Sequence, residues 1–154
     1  MEKIEVRFSD KSAKGYPKGI LLQEILRPGE IVAAKVDGVL SDLQTSVEQN
    51  ARVEWVPAES GEGQGVLRHT TSHVMAQAVH NLFPEAKITI GPAIKDGFYY
   101  DFDIDRSFSP EDFPGIEAKM QEIIKKDLPL VRKSVSREEA RRFFQEKNEP
   151  YKVE

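Results

Sequence analysis

Two histidines four residues apart, His69 and His73, have the residue type and spacing best suited to chemistry in this chain. They stand in Leu67-Arg68-His69-Thr70-Thr71-Ser72-His73. The run from Leu67 to Phe83 has helical hydrophobic spacing, with Leu67, Val74, Ala78 and Val79 recurring at three, four and seven. On a helix, residues four apart share one face, about 6 Å apart along the axis. Two imidazoles so placed can share a metal, hold a water, or divide acid and base roles near neutral pH. The same spacing also fits a pair of partly exposed surface histidines.

A metal is the first chemistry to weigh. A zincin helix needs Glu directly after its first histidine, and here that position is Thr70. A Zn²⁺ site needs at least a third protein ligand. His80 lies seven residues beyond His73, roughly 10 Å along the same helix, too far to share an ion held at about 2.1 Å. The pair therefore works with oxygen ligands and water, or with partners on other sequence. No tightly bound metal is expected.

The elements that must position the pair come from a chain of 154 residues, 39% hydrophobic and 31% charged. That composition suits a globular chain of one ordinary or two small domains. Nothing approaches the apolar run of about 20 residues that spans a bilayer, and the start Met-Glu-Lys-Ile-Glu does not resemble a signal peptide. The absence of cysteine excludes disulfides and thiolate metal sites and fits a cytoplasmic location. A net charge of −4 does not suggest nucleic-acid binding. Residues 117–152 hold ten Lys/Arg against seven Asp/Glu, a small excess that a solvated helix surface accounts for.

Ile4, Val6 and Phe8 alternate with Lys3, Glu5 and Arg7, which predicts a half-buried strand. A turn at Ser9–Ser12 leads to a short strand through Tyr16. Ile20, Leu22, Ile25 and Leu26 give a short helix stopped by Arg27-Pro28-Gly29. Ile31–Val36 and Val39–Leu43 flank Asp37-Gly38, a strong hairpin signal. Arg52–Val56 is the last strand of this half, with Val53 and Trp55 on one face. Residues 59–66, polar and glycine-rich, are expected to be a linker between domains 1–58 and 67–154.

Beyond the histidine helix, Lys87–Ile94 and Phe98–Ile104 predict two strands around Lys95-Asp96-Gly97. Gly91-Pro92 should interrupt the first. On the second, Phe98, Tyr100, Phe102 and Ile104 share one face. Ser109-Pro110-Glu111-Asp112 opens a helix that Pro114-Gly115 must bend or restart, with Ile116, Met120, Ile123 and Ile124 inward. Leu130–Val135 reads as a strand. Ser136-Arg137-Glu138-Glu139 is a capping box for a helix with Ala140, Phe143 and Phe144 inward. Tyr151–Glu154 reads as the start of a strand. His80 is expected on the surface.

Taken together, these residues resemble the N-terminal part of bacterial-type threonyl-tRNA synthetases. The resemblance rests on Leu67–Val79, on Ile90-Gly91-Pro92-Ala93-Ile94-Lys95-Asp96-Gly97-Phe98-Tyr99-Tyr100-Asp101, and on Pro150-Tyr151-Lys152-Val153. Residues 1–58, with Val36-Asp37-Gly38-Val39-Leu40 at the hairpin, resemble a TGS domain, a ubiquitin-like β-grasp module. The implied fold class is α+β, a β-grasp followed by part of an α/β editing domain whose histidine helix packs on a sheet. The implied function is tRNA binding and hydrolysis of serine wrongly esterified to threonine tRNA, in support of a threonine-attaching ligase. One methyl separates the two amino acids, worth only about 1–3 kcal/mol in a pocket, so a second, hydrolytic site is needed.

The resemblance makes His69, His73 and Lys152 catalytic and places Tyr100 and Gly91 at the substrate. It implies the tRNA acceptor end as partner and no membrane. No cofactor is implied for this stretch, since ATP, Mg²⁺ and a catalytic Zn²⁺ belong to the family's core. The family is expected to dimerise through its other domains, leaving this stretch monomeric. The family completes its site with a Cys-x-x-x-His segment, absent here, so this stretch alone is expected to be inactive. Two other functions fit the residues: an RNA-docking or regulatory TGS module with inert histidines, and the first half of a TGS-containing nucleoside kinase. Tyr100 as a core aromatic and Lys152 as a solvated lysine are the corresponding structural readings.

Overall fold

Alternating burial along Lys3–Phe8 makes this segment the strand on which the first half is built. Ile4, Val6 and Phe8 point into the core, and the charged residues between them face water. The computed structural model describes residues 2–27 and 29–153. They divide into two units, Met1–Leu67 and Arg68–Glu154. Strands dominate the first and helices the second, which is the expected α+β composition.

In the first unit, β1 (Lys3–Phe8) pairs antiparallel with β2 (Ala13–Pro17) and parallel with β7 (Ala51–Pro57). The unit also contains β3 (Ile20–Leu21), β4 (Ile31–Val36), β5 (Val39–Ser41) and β6 (Ser46–Val47). The main sheet runs β2-β1-β7-β4-β5, and β3 pairs separately with β6. Asp37 and Gly38 both have positive φ, 50° and 85°, as the tight turn of a two-residue hairpin requires. The short helix expected here is a single 3-10 turn, Leu22–Ile25, and Ile20 belongs to β3 instead. Of the predicted stop Arg27-Pro28-Gly29, Pro28 lies outside the described residues. Leu22, Ile25, Val47 and Val53 close the core with β1, and Trp55 stacks on Phe8 at 6.1 Å between ring centroids.

The expected linker is largely helical. A 22-residue helix, α1, spans Gly61–Leu82. Ser60 caps its first turn, its hydroxyl donating to the Pro57 carbonyl and accepting from Gly63 N–H. Gly63 fits because the helix start touches the preceding strand: a Cβ there would stand 2.0 Å from the Pro57 oxygen. The glycine that suggests flexibility in the sequence serves close packing instead.

In the second unit, the residues after α1 form one broken hairpin. Its pieces are β8 (Lys87–Ile88), β9 (Ala93–Ile94), β10 (Gly97–Phe98) and β11 (Phe102–Asp103). β9 pairs with β10 and β8 with β11, and the ladder breaks around Gly91-Pro92 as expected. A 3-10 turn at Pro110–Asp112 precedes α2 (Phe113–Lys125), so Pro114 falls in the first turn of a restarted helix. Ile123 is buried, whereas Ile124, expected inward, is exposed. The capping box opens α3 (Arg137–Glu146), with Ser136 Oγ accepting from Glu139 N–H. Phe143 is exposed, while Ala140 and Phe144 are half-buried.

Two predicted strands are not formed. Residues 130–135 have no regular structure, and Leu130 and Val131 are 73% and 69% exposed. Alternating apolar residues make a strand only when a neighbouring strand supplies hydrogen bonds. Pro150–Lys152 is a 3-10 turn, consistent with Pro150 at its first position, and Glu154 lies outside the described residues.

Candidate functional site

α1 carries His69 and His73 one turn apart, and the four-residue spacing brings the rings together. Their Nε2 atoms are 3.2 Å apart and the rings are nearly perpendicular, at 88°. One imidazole donates its N–H and the other accepts, which requires at least one to be neutral. Both side chains are exposed enough to meet a ligand. His80, farther along α1, is exposed as expected.

The broken hairpin supplies the facing wall. The Tyr100 ring lies edge-on to His73 at 6.4 Å and stacks on Phe102 at 5.1 Å. Its other neighbour is Gly91, where an added Cβ would stand 1.9 Å from Tyr100 Cδ2. Glycine at 91 therefore lets the tyrosine ring lie on bare backbone. Gly91 is fixed from the helix side as well. Ser72, fully buried, has its hydroxyl 2.7 Å from the His69 carbonyl and 3.2 Å from the Gly91 carbonyl.

Lys152 reaches the same hairpin from the end of the chain. Its Nζ donates to the Thr89 carbonyl at 2.7 Å, two residues before Gly91. Tyr151, beside it, donates to Asp103 Oδ2 at 2.8 Å, and Lys87 Nζ donates to the Asn148 carbonyl at 3.2 Å. Three bonds thus seat residues 148–152 on Lys87 of β8, on Thr89 just beyond it and on Asp103 of β11. All five residues selected from the sequence, His69, His73, Gly91, Tyr100 and Lys152, lie on or against this hairpin and the adjoining turn of α1.

The electrostatics follow from that crowding. Burial first, then the neighbouring His69 and Lys152, push the His73 imidazole below its ordinary value. It stays neutral at pH 7 and can accept a proton. Burial, and then the Glu149 carboxylate, hold the Tyr100 hydroxyl above its ordinary value, so it remains a donor. Behind Tyr100 is an apolar pocket of about 410 Å³, lined by Met75, Val79, Phe102, Phe108, Ile116 and Met120 among others. Among the described residues, no group of three or more His, Cys, Asp or Glu side chains converges as a metal site would need.

Ser72 and Glu149 were not singled out in the sequence. Ser72 could have been found there: Ser72, Ala76 and Val79 recur at four and seven, which places a hydroxyl inside a buried stripe. Glu149 carries no such signal, because its surroundings come from distant parts of the chain.

No protein-family model matches the chain. Individual proteins do. A threonine–tRNA ligase of Symbiobacterium thermophilum is 46% identical over 97% of this chain and 24% of its own length. Those of Carboxydothermus hydrogenoformans and Halalkalibacterium halodurans are each 45% identical over 98% of the chain and 25% of their own length. The chain spans about a quarter of the length of these curated relatives. It is thus related, along nearly its whole length, to the N-terminal region of the threonine–tRNA ligases.

Proposed function

We propose that this chain, within a threonine–tRNA ligase, binds the acceptor end of threonine tRNA and hydrolyses serine wrongly attached to it. The observation that carries this reading is the 3.2 Å contact between His69 and His73, facing Tyr100 and within range of the Lys152 charge. The neutral His73 takes a proton from a water as that water attacks the ester carbonyl. It returns the proton to the tRNA ribose oxygen as the ester C–O bond breaks, while His69 holds the imidazole in place. The Lys152 ammonium stabilises the negative charge developing on the carbonyl oxygen, and Tyr100 and Gly91 bound the space for the aminoacyl group. No metal enters these steps, and ATP, Mg²⁺ and Zn²⁺ belong to the ligase's amino-acid-attaching core.

On this reading residues 1–58 are a β-grasp TGS domain and 67–154 are part of the editing domain. A mixed sheet with a parallel β1–β7 pair at its centre supports the first assignment. The chain by itself deacylates weakly, since two imidazoles and one lysine lack further convergent donors, and it is a monomer. The full ligase is dimeric and works in the cytoplasm. Among the described residues no helix is long and apolar enough to cross a membrane. The competing reading is an RNA-docking module centred on the first unit, favoured by the exposed Val39 and Leu40 at its hairpin.

The test is His73→Ala in a full-length ligase carrying this region. Threonine charging should be unchanged, while hydrolysis of seryl-tRNA falls about 10²–10⁴-fold. Unchanged seryl-tRNA hydrolysis makes the histidine helix structural only and leaves the docking module standing.

A further inference from the structure

Ser72 is the one polar side chain buried among the described residues, and no step of the hydrolysis above uses it. Its hydroxyl has a single proton to share between two carbonyls, that of His69 at 2.7 Å and that of Gly91 at 3.2 Å. The first bond is local, because a helical serine often donates to the turn before it. That turn joins the two histidines, since an α-helix also directs the His73 N–H to the His69 carbonyl. The second bond crosses 19 positions and ties the same turn to the hairpin.

The hairpin leaves the Gly91 carbonyl open to a donor from outside. The Asp101 N–H goes to the Ile90 carbonyl at 2.9 Å. The carbonyls on either side of Ile90 are held from elsewhere, Thr89 by the Lys152 ammonium and Gly91 by Ser72. Tyr100 lies on Gly91, where an added Cβ would stand 1.9 Å from Tyr100 Cδ2. Residues 89–91 thus carry both Tyr100 and Lys152, and Ser72 ties that stretch to α1.

We propose that Ser72 is a positioning residue of this site, its hydroxyl setting how closely the wall of Gly91, Tyr100 and Lys152 approaches the two imidazoles. This rests on the hydrolytic reading above. Ala76 and Val79, buried beside Ser72 on the same stripe, fill space without direction, whereas a hydrogen bond fixes the wall's place along the helix. The groups facing His73 are His69 on α1, Tyr100 from the hairpin and Lys152 from the terminal turn, with the Glu149 carboxylate acting on Tyr100. Tyr100 and Lys152 retreat if the wall is released. His73, less covered and farther from the ammonium, then takes a proton nearer its ordinary value of about 6.5.

The experiment is the pH dependence of seryl-tRNA hydrolysis by a full-length ligase carrying this region, with Ser72→Ala set against Ile123→Val. The second substitution removes one methylene from a buried residue outside the site and supplies a loss of stability alone. Ser72→Ala should lower kcat about 10- to 100-fold with KM little changed, and threonine charging should stay as it was. The acid limb of its profile should move up in pH, while that of Ile123→Val stays in place. In the chain itself, Ser72→Ala should move the NMR titration of His73 upward, a measurement that needs no substrate. Equal effects of the two substitutions would make Ser72 a matter of stability and overturn the proposal, as would an unmoved acid limb or an unmoved His73 titration. Wild type that hydrolyses no seryl-tRNA would instead remove the hydrolytic reading, and this inference with it.

Discussion

The two units solve the problem of order in different ways. In the first, Val6, Leu22 and Val53 are fully buried in a continuous apolar cluster beneath a five-stranded sheet. In the second, buried apolar side chains are fewer and smaller, Ala76, Ala78, Val79, Ala86 and Ile123, and its strands are two-residue fragments. Its arrangement depends instead on specific polar bonds: Ser72 to Gly91, Lys152 to Thr89 and Tyr151 to Asp103. Apolar burial is non-directional and holds a scaffold. Holding Tyr100 beside His73, and the Lys152 turn against the hairpin, needs directional contacts, which are individually weaker.

That contrast can be broken from either side. The largest effect is expected from Phe8→Ala, which opens a cavity in the first unit's core and should cost about 3–5 kcal/mol. Amide NMR signals of residues 3–57 should be lost on denaturation well before those of residues 69–82. Simultaneous loss would show that the second unit depends on the first for its stability.

Gly91→Ala comes next. Its Cβ must displace the Tyr100 ring, at a cost of about 1–3 kcal/mol. The signature would be a changed ring-current shift at His73, because Tyr100 lies edge-on to it. An unchanged His73 resonance would mean that Tyr100 is not held by that contact. Ser72→Ala should cost about 1 kcal/mol in thermal melting, since the Gly91 carbonyl loses its donor from the helix. The first unit's transition should not move.

The smallest effect is a pH dependence confined to the second unit. His73 titrates lower in the folded chain than in the unfolded one, where the ordinary value is about 6.5. Below that value the unfolded chain binds more protons than the folded one, so stability falls on acidification until His73 itself protonates. Melting of the second unit should therefore be flat above about pH 7 and decline beneath it. His73→Ala should flatten the slope. A slope unchanged by that substitution would assign it to other groups.

Local pattern was enough for much of this protein. The alternation at Ile4, Val6 and Phe8, the Asp37-Gly38 turn, the Ser136 capping box and the pairing of His69 with His73 are set by residues within a few positions of one another. Their geometry follows from the period of a strand or a helix. Relations between distant segments were decided only by the tertiary structure. Gly63 packs on Pro57 where composition suggests slack, and residues 130–135 carry a strand pattern without a neighbouring strand to complete it. Gly91 is glycine because Tyr100, nine residues away, lies on it. Lys152 reaches the hairpin through its bond to Thr89, and Asn148 through the one from Lys87, each spanning some sixty positions. No periodicity encodes a contact of that length, because its partner is chosen by how the elements pack.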